Sequence, residues 1–134
     1  MILVDTSVLI NKLRKIENKK TQKLDELHRL GTPYGISIYT FHEILQGAKT
    51  EVEFKKLYEY FSTQTIFSLP DTPEIFAQSA AVYCNLRRAG TTIRNTIDIL
   101  IAYTAIYHDI QLLHDDTDFD FIAEKTKRLK VLEC

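Results

Sequence analysis

The chain has 134 residues, enough for one domain with a real core, and its 45% hydrophobic and 26% charged residues are ordinary for a globular protein. A net charge of −1 offers no global basic field for nucleic acid, and no apolar run approaches the roughly 20 residues of a membrane span. Two cysteines, Cys84 and Cys134, are too few for a disulfide framework or a zinc site. Both are expected as free thiols, Cys84 buried on a helix.

Met1-Ile-Leu-Val-Asp5 has no basic stretch or cleavage site, so no signal peptide is expected and a cytoplasmic location follows. The segment reads instead as a buried strand over 2–5, with a helix starting just past Asp5. Leu24, Leu27 and Leu30 mark a helix over 21–30. Gly31-Thr-Pro-Tyr-Gly35 is a turn into a strand over 35–38. Thr40-Phe-His-Glu43 has the spacing of a capping box, with Thr40 as N-cap and Glu43 at the third helical position. Phe54, Leu57, Tyr58 and Phe61 recur at helical spacing over 51–61. A strand over 65–68 follows, then a helix over 73–89 that stops at Gly90. The segment 96–108 is apolar nearly all round, the mark of a buried helix. Strands over 111–114 and 130–132 complete the chain. The alternation predicts one α/β domain over 1–134, with a mostly parallel, short-stranded sheet, helices on both faces and right-handed crossovers.

Four carboxylates stand where an apolar segment hands over to a helix. Asp5 closes the first strand and reads equally as a helix N-cap and as a site residue, since ligands of open α/β sheets bind beyond the carboxyl ends of the strands. Glu43, capping role included, is aimed at the same edge. Asp98 sits in Ile97-Asp-Ile-Leu-Ile-Ala-Tyr103, where an ionised carboxylate costs several kcal/mol unless paired or coordinated. A dipole contribution of about 0.3–1 kcal/mol near a Thr96 cap is too small to justify it, and Arg94 is its candidate partner in a purely structural reading. Asp116 belongs to His114-Asp-Asp-Thr-Asp-Phe119, where three aspartates exceed what capping needs. Spacing leaves open which of Asp115, Asp116 and Asp118 points inward.

Two carboxylates about 4 Å apart repel by on the order of 4 kcal/mol at an effective dielectric of 20. Converging acids therefore persist by binding cations or sharing protons. Oxygen-only ligands select Mg²⁺ or Mn²⁺ over zinc, and phosphodiester hydrolysis is the natural chemistry of such a site. Two stretches suit a polyanion: Lys12, Arg14, Lys15, Lys19, Lys20 and Lys23, and then Arg87, Arg88 and Arg94. The first also reads as a solvated helix face. Ser7 has no histidine at nucleophile spacing and reads as a hydroxyl that orients a carboxylate or a water. The histidines lack ligand spacing, and four glycines supply no phosphate loop.

These residues resemble the PIN-domain family, and most closely its VapC-type toxins. Ile2-Leu-Val-Asp5-Thr-Ser-Val-Leu-Ile10 is similar to the family's opening strand and acid. Ile36-Ser-Ile-Tyr-Thr-Phe-His-Glu43-Ile-Leu-Gln-Gly47 is similar to its serine strand, glutamate and glycine. Gly90-Thr-Thr-Ile93 leading into Asp98-Ile-Leu-Ile-Ala102 is similar to its central acid helix, and Leu112-Leu-His-Asp-Asp116-Thr-Asp118-Phe119 to its closing motif. The motifs keep their order across essentially the whole chain. One departure is Asp115, where the family often has asparagine.

The resemblance implies a three-layer α/β/α sandwich with metal-dependent ribonuclease activity. Asp5, Glu43, Asp98 and Asp116 would hold Mg²⁺ or Mn²⁺, with Asp5 and Asp98 on the principal ion and Ser7 in support. It also implies a homodimer, an antitoxin that occludes the site, and structured RNA, tRNA included, as substrate. Lys12, Arg14, Lys15, Arg87, Arg88 and Arg94 are the candidate RNA contacts. Two other readings compete: a PIN nuclease of RNA maturation without an antitoxin, and a catalytically silent RNA-binding domain. A haloacid-dehalogenase-type phosphatase is disfavoured because Asp5-Thr-Ser7 lacks its second aspartate.

Overall fold

Leu3 and Val4 are both fully buried, yet they face opposite ways, because side chains alternate along a strand. That two-sided burial of short apolar strands sets the architecture. The computed structural model describes residues 1–134. In chain order the elements are β1 (Ile2–Val4), α1 (Thr6–Leu13), α2 (Lys19–Arg29), β2 (Tyr34–Ser37), α3 (Ile38–Gln46), α4 (Glu51–Phe61), β3 (Thr65–Phe67), α5 (Pro73–Arg88), α6 (Thr96–Tyr107), β4 (Gln111–Leu113) and α7 (Thr117–Lys125). The sheet order is β3-β2-β1-β4, with every pairing parallel. The predicted strand at 130–132 reduces to one bridge, Val131 to Leu112.

Two apolar clusters cover the two faces. Ile2, Val4, Ile36 and Leu113 pack with Val8, Leu9, Leu24, Leu27, Ile44 and Phe61 of α1 to α4. Leu3 and Leu112 pack on the other face with residues of α5, α6 and α7, among them Leu86, Ile101, Tyr103, Phe119 and Ile122. The result is the expected three-layer sandwich. Gly35 is required where β2 meets β3: a Cβ there would lie 2.6 Å from the Thr65 carbonyl and 2.8 Å from the Phe67 ring.

Parallel strands put all their carboxyl ends on one edge. Successive connections place β2 and then β3 on one side of β1, whereas β4 pairs with its other side. The order therefore reverses between β1 and β4, the kind of switch point at which open α/β sheets bind ligands. Asp5 follows β1 and Asp116 follows β4, so the two flank it.

Four local expectations are corrected. Ser37, not Thr40, is the N-cap of α3: its backbone is extended at φ −78° and ψ 157°, and its hydroxyl accepts from the Thr40 N–H at 3.0 Å. Thr40 occupies the position expected for Glu43, and Glu43 lies one turn deeper. Asn95, not Thr96, caps α6. Cys84 is half-buried rather than buried, and both thiols are free. On α4 only Phe61 of the predicted stripe is fully buried, and Phe54 and Tyr58 are exposed.

Candidate active site

Asp5 is the N-cap of α1, but capping uses only one of its oxygens. Oδ2 accepts from the Ser7 N–H at 2.9 Å and from the Ser7 hydroxyl at 2.6 Å. Oδ1 is buried with no hydrogen-bond partner. Asp116 repeats the arrangement as N-cap of α7, its Oδ1 accepting from the Asp118 N–H at 2.9 Å. A cap and a site residue are thus compatible in one carboxylate.

Asp98 enters from the first turn of α6. It is 8% exposed, and none of the ion pairs in the fold involves it or Arg94. Asp98, Asp116 and Asp118 bring carboxylate oxygens within 4.8 Å of one another. Asp115 turns away and accepts from Asn11 and Asn18 instead. Of the three neighbouring aspartates, Asp116 and Asp118 therefore join Asp98.

Glu43 is held by the Thr6 hydroxyl, 2.7 Å from its Oε1. Thr6 lies 3.0 Å from the Thr40 hydroxyl, which lies 3.2 Å from that of Ser37. This buried row of hydroxyls ties β2 and α3 to α1 beneath the acids.

The electrostatics bear the mark of crowding. Burial, followed by the charges of Asp5, Asp116, Glu43 and Asp118, pushes the Asp98 carboxyl up to about 7. Burial raises Asp5 to about 6, with Glu43 adding to the rise and the Ser7 hydrogen bonds opposing it. Burial pulls the neighbouring His114 below its ordinary value. Its neutral Nδ1 accepts from the Asp116 N–H at 3.3 Å.

This donor set fits a hard divalent cation. It is made of oxygens alone, one of them buried and unpartnered, and none of its acids is held in an ion pair.

Clefts open on both sides of Glu43. One, of about 250 Å³, is lined by Ile10, Arg14, Gly47, Lys49 and Glu53 among others. The second, of about 430 Å³, is lined by Tyr39, His42, Gln46, Asn95 and Ile97 with Glu43. Of the six predicted RNA contacts, Arg14 lines a cleft with the site acid Glu43, whereas Lys12 lines an apolar cavity beside Asp25. Lys12 pairs with Asp25 at 2.6 Å, Arg87 lies over the Tyr83 ring, and Arg88 bonds Asn85. Lys15 and Arg94 are exposed. Sequence reasoning missed Thr6, Lys49, Asn11 and Asn18. Thr6 alone had a signal, as a hydroxyl next to the first acid.

The PIN domain family model matches residues 2–125. The VapC ribonuclease Mb1587 of Mycobacterium bovis is 33% identical over 131 residues, which span 94% of each chain. Ribonuclease VapC11 of Mycobacterium tuberculosis matches with the same identity and coverage. Among solved structures, VapBC2 of Rickettsia felis, bound to a DNA fragment from its promoter, superposes with a TM-score of 0.75 at 19% identity, covering 98% of both chains. VapBC-1 of nontypeable Haemophilus influenzae superposes with a TM-score of 0.70 at 20% identity, covering 99% of this chain and 98% of that one. Along nearly its whole length the chain belongs to the PIN-domain family, and within it stands with the VapC ribonucleases.

Proposed function

We propose that this chain is a metal-dependent endoribonuclease and the toxin of a toxin–antitoxin pair. The observation that carries the reading is the convergence of Asp98, Asp116 and Asp118 beside the unpartnered Asp5 oxygen, in a chain one-third identical to VapC ribonucleases. Asp5, Asp98, Asp116 and Asp118 would hold the cation, Mg²⁺ or Mn²⁺, with Glu43 completing the pocket. A divalent ion there would neutralise the carboxylates, polarise a phosphoryl oxygen and ease the deprotonation of water.

The chain's own residues supply positioning. Ser7 fixes the Asp5 carboxylate through two hydrogen bonds, and Thr6 fixes Glu43. Arg14 and Lys49 border Glu43 in one cleft and give cationic contacts for the flanking phosphates. Arg87, Arg88, Arg94, Lys12 and Lys15 extend that contact at longer range. Water attacks phosphorus and the 3′ oxygen leaves, giving 5′-phosphate and 3′-hydroxyl ends. The substrate class is structured RNA, tRNA included, which places the activity in the cytoplasm. No helix is long and apolar enough to cross a membrane.

A VapB-like antitoxin is the expected partner, and a homodimer the expected assembly. An apolar cavity of about 400 Å³ between α1, α2, β2 and α4, lined by Leu9, Leu13, Leu24, Ile36, Leu57 and Phe61 among others, offers an antitoxin segment a seat. Controlled expression tests the reading. Growth arrest with discrete RNA fragments, relieved by co-expressing a VapB-like antitoxin, supports it. Unchanged growth and intact RNA, with folded protein present, contradict it.

A further inference from the structure

Asp115 is the acid that leaves the cluster, and what it does instead is specific. Its Oδ2 accepts two amide hydrogen bonds, from Asn11 Nδ2 at 2.8 Å and from Asn18 Nδ2 at 2.9 Å. The two asparagines come from the last turns of α1 and the cap of α2. The link between them is a tight turn: Ile16 N–H bonds the Asn11 carbonyl at 2.9 Å, and Lys15 takes a left-handed φ of 59°. Asn18 Oδ1 meanwhile accepts from the N–H groups of Lys20 and Thr21, so its amide nitrogen is aimed by the cap itself. Together these contacts form a preformed two-amide fork.

On its main-chain side Asp115 touches the acid site. Its N–H donates to Ser7 Oγ at 2.9 Å, and Ser7 Oγ donates to Asp5 Oδ2 at 2.6 Å. The next residue is Asp116. One side chain thus pins the loop that sets the spacing of Asp5 and Asp116.

We propose that Asp115, gripped by Asn11 and Asn18, is a positioning residue that fixes the carboxylate spacing for the divalent cation. The inference rests on the metal-dependent reading above. It also explains why an extra acid is tolerated here: its charge is taken up by amides rather than added to the cluster.

The test compares Asp115→Ala, Asp115→Asn and Asn18→Ser. Asparagine keeps an acceptor oxygen for both amides. Serine keeps the α2 cap but loses the donor. Mn²⁺ affinity by calorimetry should fall about 10- to 100-fold in Asp115→Ala and Asn18→Ser, and return close to wild type in Asp115→Asn. Cleavage should lose kcat with little change in KM. In metal-free protein the backbone amide at position 115, bonded to Ser7 Oγ in the wild type, should exchange faster in the alanine variant. Wild-type Mn²⁺ affinity in Asn18→Ser and a folded Asp115→Ala, or an Asp115→Asn as weak as the alanine, overturns the inference. Metal-dependent cleavage untouched by Asp115→Ala overturns it alone, whereas wild-type protein that binds no Mn²⁺ overturns the proposed function as well.

Discussion

The Thr6 hydroxyl donates to Glu43 Oε1 at 2.7 Å, joining the start of α1 to α3 across 37 positions of sequence. Each hydroxyl carries one proton, so the row runs from Ser37 to Thr40 to Thr6 and ends on the carboxylate. Thr6→Val keeps the shape and removes the final donor. It leaves Glu43 without this bond and a buried Thr40 donor unpaired. The expected loss is about 1–3 kcal/mol of stability, read by urea unfolding of metal-free protein, with slower cleavage. Unchanged stability would show that the row does not hold α1 to α3.

The cap of α3 can be checked separately. Ser37→Ala removes the hydroxyl that accepts the Thr40 N–H and should cost about 0.5–2 kcal/mol. Glu43→Gln should leave α3 intact, because Glu43 caps nothing, while impairing cleavage. Equal destabilisation by the two would restore the capping role to Glu43.

That cap illustrates what could be read in advance and what could not. Ser37 and Thr40 stand one turn apart, and Ile38 and Tyr39 between them look like the end of a strand. Only the extended backbone of Ser37 separates the alternatives. The positions of Asp5, Asp98 and Asp116 were legible because apolar runs mark strands and a buried helix, and parallel strands share an edge. Helical periodicity in α4 was also legible, but it reports a stripe and not what covers it, so Phe54 and Tyr58 lie exposed. The partners were invisible. Asn11 and Asn18 meet Asp115 across 104 and 97 positions, and no local pattern signals such a contact.

The raised carboxyl groups make metal-free stability depend on pH. Both Asp98, near 7, and Asp5, near 6, lie above their ordinary value of 3.8. Below about pH 4 each is protonated folded and unfolded alike. Between about pH 4 and 7 the folded state alone keeps the protons, so stability must fall as pH rises, and level off above about pH 7. Unfolding in EDTA at pH 5 and pH 8 should show higher stability at pH 5. The difference should shrink in Asp98→Asn and upon adding Mn²⁺. A stability that instead rises from pH 5 to pH 8 in EDTA, with no smaller slope in Asp98→Asn, would refute the crowded-acid description.

Two glycines should respond differently to alanine. Gly35→Ala drives a Cβ to 2.6 Å from the Thr65 carbonyl, and backbone cannot yield cheaply, so β3 must shift at about 1–3 kcal/mol or more. Gly47→Ala meets only ordinary contacts of 3.5 Å and beyond at a φ of −79° and should be tolerated. Denaturant midpoints of the two variants settle the contrast; equal midpoints would remove the close approach of β2 and β3 as the reason for Gly35.

The most direct measurement is cleavage of a structured RNA by purified protein in Mn²⁺, Mg²⁺ or EDTA, beside Asp98→Asn. The predicted result is discrete fragments with 5′-phosphate ends, formed only with metal, and lost in a variant that melts no lower than wild type. Fragments that persist in EDTA, or in Asp98→Asn at the wild-type rate, would contradict the assignment of these acids as the centre of the activity.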